Sequence, residues 1–171
     1  MKKICISFVL ILIIVLLVIV NAKPDVKEEY LRIHVRANSN SQIDQNIKYK
    51  VKDVVVEYLT PYIANCKSKQ EAFDMLQEQK TAINRVICVF LAKNGFNYGA
   101  RTNVCAEKFP TRVYDDLTLH EGVYDALIIE LGEGAGDNWW CVVYPPLCFT
   151  DTKNVKYKSA IYDIIKHFKN K

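Results

Sequence analysis

A long apolar run lies close to the N-terminus of this chain. Residues 4–20 contain no charged side chain, and Lys2 and Lys3 precede them. This layout is typical of a signal peptide or an N-terminal membrane anchor, and a helix of this length just crosses a bilayer. Because basic residues stay on the cytoplasmic side, we expect the rest of the chain to be exported. Cleavage after Ala22 and retention of the segment as an anchor both remain open.

The apolar run also divides the chain. The exported part is long enough for one domain with its own hydrophobic core. Without Lys2 and Lys3 the net charge falls from +4 to about +2, which is too small to favour a nucleic-acid partner. We predict a signal peptide or anchor over residues 1–22, a linker over 23–28, an exported α+β domain over 29–150 and a basic C-terminal helix or tail over 151–171.

Export changes what the cysteines can do, because disulfides persist outside the cytosol. The exported part has an odd number of cysteines, so at least one is unpaired or pairs between chains: Cys66, Cys88, Cys105, Cys141 and Cys148. No C-x-x-C motif occurs and no histidine lies near a cysteine at metal-ligand spacing, so we expect neither a metal nor a cofactor. Pro145 and Pro146 force a turn between the last two cysteines, which makes a disulfide there a candidate; the alternative is two buried thiols.

The first half of the exported part predicts one strand and two helices. Residues 30–36 alternate, with Leu31, Ile33 and Val35 opposite three basic side chains, which is typical of a half-buried strand. We call the side with Arg32, His34 and Arg36 the basic face. Ser41 and Ser68 each stand three residues before an acidic residue and open an apolar stripe at helical spacing, which predicts a helical hairpin over residues 41–93.

The second half is mainly β. Residues 96–106, 123–131 and 138–144 are strand candidates, and the glycine-rich residues 132–137 predict a hairpin between the last two. A short helix follows from Lys156. The predicted fold class is α+β, a two-layer domain with a helical hairpin packed on a mostly antiparallel sheet, preceded by the N-terminal signal or anchor helix.

Two tryptophans in the last strand candidate predict a contact surface. Alternation sends neighbouring side chains to opposite faces, so one tryptophan faces the helices and the other faces the open side of the sheet or a partner. Tryptophan is enriched among interface residues that dominate binding energy, although both could also be core. The predicted faces are Trp139, Cys141 and Val143 on one side and Trp140, Val142 and Tyr144 on the other.

The polar residues allow two further interpretations. The basic face can grip a carboxylate or an acidic patch of a partner, or can simply be solvated. A thiol hydrolase acting on the cell wall would need Cys141 as nucleophile and a histidine as base. His34 or His120 could be that base, with Asn38 or Asp125 to orient it, but no local signature supports this arrangement.

Two stretches resemble the stage II sporulation protein R family of endospore-forming Firmicutes. They are LRIHVRANSNSQIDQNIKYKVKD and GVYDALIIELGEGAGDNWWCVVYPPLCF, joined by an FP-x-R-x-Y motif at residues 109–114. The resemblance covers residues 29 to about 150. This chain has Asp115 where the family tends to have glycine, and His120-Glu121-Gly122 where it tends to have Pro-x-Gly, so the connection between these positions could be shaped differently.

The resemblance implies a signalling ligand and not an enzyme. Such proteins are made in the forespore and exported into the space between two membranes, where they activate a membrane-embedded aspartic protease of the mother cell. The protease then cleaves the precursor of sigma-E. A passive envelope module, anchored to the membrane through residues 4–20, is a further alternative. The candidate partner-binding residues are His34, Arg36, Asn38, Trp139, Trp140, Pro145 and Pro146, and the candidate disulfide joins Cys141 and Cys148.

Overall fold

A computed structural model describes residues 26–114, 117–150 and 155–169. In chain order the elements are β1 (Val26–Arg36), α1 (Gln42–Ile63), α2 (Lys69–Lys93), β2 (Ala100–Phe109), β3 (Arg112–Tyr114), β4 (Leu117–Leu119), β5 (Gly122–Leu131), β6 (Asn138–Tyr144), a 3₁₀ turn (Leu147–Phe149) and α3 (Val155–Lys169). The α+β class is confirmed. The predicted strand over 96–106 begins and ends later than expected, at Ala100 and Phe109.

Both predicted capping residues begin their helices. The Ser41 hydroxyl accepts a hydrogen bond from the Asp44 backbone N–H at 3.2 Å, and Ser68 does the same for Glu71 at 3.1 Å. These bonds satisfy N–H groups that lack a partner in the first helical turn. Gly95, with a φ of 80°, follows the end of α2, as the sequence predicts.

The four-stranded sheet has the order β2-β5-β1-β6. β1 lies in the middle, parallel to β5 and antiparallel to β6, and β2 pairs antiparallel with β5. Two of the three pairings are antiparallel, which confirms a mostly antiparallel sheet. The predicted hairpin between β5 and β6 is wrong, because β1 is inserted between these two strands.

The glycine-rich loop passes over the end of β1 instead of closing a hairpin. The Gly136 N–H donates to the Ala37 carbonyl at 2.9 Å, and the Ala135 N–H donates to the Asn38 carbonyl at 3.2 Å. The buried Lys48 ammonium donates to the Asp137 carbonyl at 3.0 Å. A Cβ at Gly136 would overlap the Ser39 backbone, so glycine allows the loop to lie directly on the chain that leaves β1.

The main core lies between the sheet and the helices. Leu31, Ile33 and Val35 of β1 are buried there with apolar residues of α1 and α2 and with Ile161 of α3. This confirms the apolar side of the predicted strand and the apolar stripe of the C-terminal helix. Tyr144 also packs against this core, contrary to the predicted alternation, because the β1–β6 register shifts between Leu31 and Arg32.

A second, smaller core covers the basic face of the sheet. Phe109, Tyr124, Ala126 and Ile128 are buried there, and the short β3–β4 hairpin pairs only within itself. This partial third layer was not predicted. It buries Arg32 and His34, which are 0% and 5% exposed, so the basic face is not simply solvated.

The predicted leader, residues 1–22, lies outside the described residues. In the described ranges no helix has both the length and the apolar character that a membrane span requires. The predicted division into leader, linker, domain and tail therefore stays a prediction.

Candidate partner-binding site

His34 sits in a closed polar and aromatic environment. Its Nδ1 lies 2.8 Å from Glu107 Oε2, and its Nε2 lies 2.8 Å from Asn138 Oδ1. A carboxylate can only accept, so Nδ1 donates to Glu107. The ring stacks on Trp140 with 5.3 Å between centroids. His34 therefore holds β1, β2 and β6 together.

Arg36 lies between two carboxylates of neighbouring strands. Its guanidinium pairs with Glu107 of β2, and its Nη1 lies 2.6 Å from Glu130 Oε1 of β5. Arg101 adds a longer contact of 3.4 Å to Glu130. The basic face therefore carries its own carboxylates at this end, and the Arg36 side chain keeps 29% of its surface exposed.

Asn38 connects the end of β1 to α1 and to the glycine-rich loop. Its amide nitrogen donates to Asp44 Oδ2 at 2.8 Å, and its amide oxygen accepts from the Glu133 N–H at 3.0 Å. Asp44 also accepts from the hydroxyls of Ser39 at 2.6 Å and Tyr98 at 2.5 Å. Asp44 is therefore the centre of this junction, a role that its position in the predicted capping box indicated only in part.

Burial and hydrogen bonding act in opposite directions on Asp44. Burial alone would raise the pKa of its carboxyl. Hydrogen bonds from Ser39, Tyr98, Asn38 and Ser41 stabilise the charged form and together bring the pKa below its ordinary value of 3.8. Burial, and next its hydrogen bond to the charged Asp44, raise the pKa of Tyr98. The phenol therefore stays protonated and donates to the carboxylate.

The two tryptophans lie on opposite faces, as the alternation predicts, and both are half-buried. Trp139 packs against the main core, with the Lys52 ammonium 5.8 Å from its ring centroid. Trp140 lies on the basic face, and the Arg112 guanidinium is 4.1 Å from its ring centroid. Trp140 is thus stacked between His34 and Arg112.

Two buried prolines and a disulfide constrain the turn after β6. Pro145 and Pro146 are buried, and the Tyr144–Pro145 peptide bond is cis. A disulfide joins Cys141 to Cys148, whose Cα atoms are 6.1 Å apart. Cys66, Cys88 and Cys105 are not in disulfides.

The proposed nucleophile arrangement is not assembled. Cys141 is bonded to Cys148 and packs in the main core, whereas His34 lies on the other face of the sheet. Asp125 pairs with Lys69, and His120 is exposed. A sulfur in a disulfide cannot act as a thiolate, so the geometry does not support the hydrolase alternative.

A residue group that the sequence did not single out surrounds Arg32. Its Nη2 donates to the Tyr114 hydroxyl at 2.7 Å, and its guanidinium carbon lies 4.2 Å from the Phe109 ring centroid and 4.9 Å from that of Tyr124. Alternation placed Arg32 on the basic face, but nothing local indicated that a hairpin from residues 112–119 would cover it.

Fold and site together define a small α+β domain whose polar side chains are held in ion pairs and aromatic stacks. The family described as Stage II sporulation protein R matches residues 27–154. The chain is 33% identical over 129 residues to Stage II sporulation protein R of Bacillus subtilis (strain 168). It therefore belongs to the stage II sporulation protein R family, a family of sporulation signalling proteins.

The aligned region covers a different fraction of each protein. It covers 75% of this chain and 58% of the Bacillus subtilis protein, so the chain spans less than two thirds of that relative's length. No solved structure matches the chain.

Proposed function

We propose that this protein is an exported sporulation signal. Made in the forespore, it reaches the space between the two membranes and activates a membrane-embedded aspartic protease of the mother cell. The protease then processes the sigma-E precursor. The observation that carries this proposal is the family match over residues 27–154, which takes in nearly every described element.

Two features support export. Residues 4–20 form an uncharged apolar segment behind Lys2 and Lys3, the layout of a signal or anchor. The Cys141–Cys148 disulfide suits an oxidising compartment, because reduced thiols dominate in the cytosol. Retention of the apolar segment would hold the domain on the forespore membrane, facing the mother-cell membrane that holds the protease across the space between them.

A role as ligand, without enzymatic activity, agrees with the site. The nucleophile that the sequence suggested, Cys141, is bonded to Cys148, and the histidine proposed to activate it is on the opposite face. A protein ligand activates its target by binding the active state more tightly than the inactive state. Such a ligand needs a rigid surface, and the contacts of the basic face provide one.

Within the candidate set, we propose a division of labour based on burial. Trp140 and Arg36 retain exposed surface on the basic face and contact the protease. Trp139 contacts the protease from the opposite face of β6. The other candidates hold these side chains in place: His34, Asn38, Pro145 and Pro146.

Reconstitution tests the proposal. The chain, its cognate membrane protease and the sigma-E precursor are expressed together in cells that do not sporulate, and cleavage is followed by immunoblot. Cleavage should require this chain and should disappear when residues 1–22 are deleted. Trp140→Ala should reduce cleavage strongly, whereas Tyr49→Ala, an exposed aromatic residue on α1, should not.

The controls separate the possible failures. The levels and thermal stabilities of both variants are compared, so that a loss of signalling is distinguished from a loss of fold. Full cleavage without this chain, or full cleavage with its leader deleted, would rule out an exported activator. Equal effects of the two aromatic substitutions would reject Trp140 as a contact.

A further inference from the structure

Arg32 is a completely buried cation whose donors are mostly unmatched. It is 0% exposed, and its Nη2 donates a hydrogen bond to the Tyr114 hydroxyl. In the described part of the chain, Nε and Nη1 have no acceptor. Buried polar groups in native proteins almost always have partners, so two unmatched donors on one guanidinium require an explanation.

Among the described residues, the surroundings of Arg32 provide aromatic rings but no opposite charge. Phe109, Tyr124 and Tyr114 lie with their ring centroids 4.2, 4.9 and 5.7 Å from its guanidinium carbon. Ring faces attract a cation, but they do not replace acceptors for in-plane N–H groups. Burial lowers the pKa of Arg32, which is consistent with a cation that has lost water without gaining an anion.

A second guanidinium lies close by, also without a carboxylate partner. Arg112 stacks on Trp140 and contributes to lowering the pKa of Arg32. Among the described residues, neither arginine forms an ion pair, although the carboxylates of Glu107 and Glu130 neutralise Arg36 on the same strand. Within the described ranges, no carboxylate therefore neutralises Arg32 and Arg112, and their charge is complementary to an anion.

Tyr114 both bonds Arg32 and lines a surface groove. The groove has a volume of about 500 Å³ and is mainly apolar, with Tyr30, Tyr114, Leu117, Ile165 and Phe168 among its walls. Tyr30 packs against the same small core as the rings around Arg32. A movement of the Tyr114 side chain would connect the groove to the guanidinium, and the β3–β4 hairpin that carries Tyr114 pairs with no other strand.

We propose that Arg32 is the anchor of a carboxylate-binding site for an acidic segment of a protein partner. An apolar side chain of that segment occupies the groove, and a neighbouring carboxylate replaces the Tyr114 hydroxyl on Arg32. Arginine pairs with carboxylates through two parallel N–H bonds, and Nη2, once released by the Tyr114 hydroxyl, forms such a pair together with either of the two unmatched donors. This site adds a binding mode to the proposed function. It rests on that function only in naming the protease as the partner.

Peptide binding to the purified full-length chain in detergent micelles tests this site. The probe is acetyl-Gly-Phe-Glu-Gly-amide, and its matched control carries Gln in place of Glu. Binding is measured by ligand-observed NMR. The Glu peptide should bind about tenfold more tightly than the Gln peptide, because only the former offers a charged bidentate acceptor.

Three variants locate the interaction. Arg32→Met retains the length of the side chain and should remove the preference for Glu. Arg112→Met removes a nearby cation and should retain most of the preference, which controls for general electrostatic attraction. Tyr114→Phe removes the hydroxyl that competes for Arg32, so the Glu peptide should bind more tightly to it than to the unchanged chain.

Several results would overturn the site. These are equal binding of the two peptides, an unchanged preference in Arg32→Met, or binding of the Glu peptide only after Asp115 and Asp116 are both changed to Asn. The last result would mean that carboxylates of this chain, and not those of a partner, bind Arg32. If Arg32→Met does not fold, Tyr114→Phe decides, since unchanged or weaker binding contradicts displacement of the hydroxyl.

The peptide experiment and the reconstitution fail independently. Binding uses only the purified chain, whereas activation requires the protease and the precursor. A Glu preference without precursor cleavage would leave the carboxylate site in place and contradict the proposed function.

Discussion

At the scale of single residues, Asp44 is the clearest example of a polar side chain that determines local structure. It accepts hydrogen bonds from Asn38, Ser39 and Tyr98, which come from the end of β1 and from the segment before β2. Its own backbone N–H is bound by the N-cap Ser41. One carboxylate thus connects the start of α1 to the residues just after β1 and to the distant segment that carries Tyr98.

We predict that Asp44→Asn lowers stability at neutral pH and weakens its dependence on acid. The pKa of Asp44 is depressed in the folded state, so its stabilising contribution is present above about pH 4 and is lost as pH falls through the folded pKa. At pH 7 the substitution should cost about 1–3 kcal/mol of unfolding free energy. Urea unfolding at pH 7 and at pH 3 measures both effects.

Asp53→Asn is the matched control, because Asp53 lies on the same helix with its side chain 69% exposed. It should change stability by less than about 0.5 kcal/mol. An Asp44→Asn variant with the same acid dependence as the unchanged chain would contradict the assigned role.

At the scale of elements, the loop between β5 and β6 determines the sheet order. Its backbone binds the residues that follow β1, and its glycines permit this close approach. The loop therefore crosses the end of β1 and leaves room for β1 between β5 and β6. A β5–β6 hairpin would have placed these two strands side by side, with β1 outside the pair.

We predict that Gly136→Ala destabilises the domain by about 3 kcal/mol, because the added methyl group would overlap the Ser39 backbone. Gly95→Ala is the control. Its φ of +80° makes alanine unfavourable, but no atom lies within 4 Å, so it should cost only about 1 kcal/mol. Thermal unfolding of both variants measures the difference, and equal costs would show that the loop can move away without loss.

Local patterns in the sequence predicted most elements but not how the strands pair. The alternation in β1 and the two serine caps are signals within a few residues, and both predictions are confirmed. The neighbour of a strand depends on contacts between residues far apart in the chain, such as Ile33 with Cys141. For this reason a glycine-rich loop between two strands suggested a hairpin that the structure does not have.

The site was predictable to a similar degree. The sequence placed Trp139 and Trp140 on opposite faces and noted the basic face, because both follow from a two-residue repeat. It did not indicate that Arg32 would be buried, since this depends on the β3–β4 hairpin, whose three-residue strands are too short for a periodic signal.

At the scale of the whole molecule, the oxidation state of Cys141 and Cys148 depends on the compartment in which the domain folds. We predict that Cys141 and Cys148 are oxidised when the chain carries its leader and reduced when residues 1–22 are deleted, because the deleted form stays in a reducing cytosol. Denaturing alkylation followed by peptide mass analysis distinguishes the two states. Cys105, which is exposed and outside the disulfide, should be alkylated in both forms.

Alkylation of Cys141 and Cys148 together with Cys105 in the leader-containing chain would contradict export into an oxidising space. The disulfide closes a loop with a sequence separation of 7, for which chain entropy gives about 2.5 kcal/mol of stabilisation. The leader-deleted form should therefore also unfold at a lower temperature than the oxidised, exported domain.

The central place of β1 has a consequence for the order in which this protein can assemble. Among the described residues β1 is the first strand, yet both of its neighbours, β5 and β6, come from the last third of those residues. A chain that crosses a membrane from its N-terminus delivers β1 long before the strands that flank it. Under the proposed export, the sheet would lack β6 until Tyr144 has emerged, so the domain would close only when most of the chain has crossed the membrane.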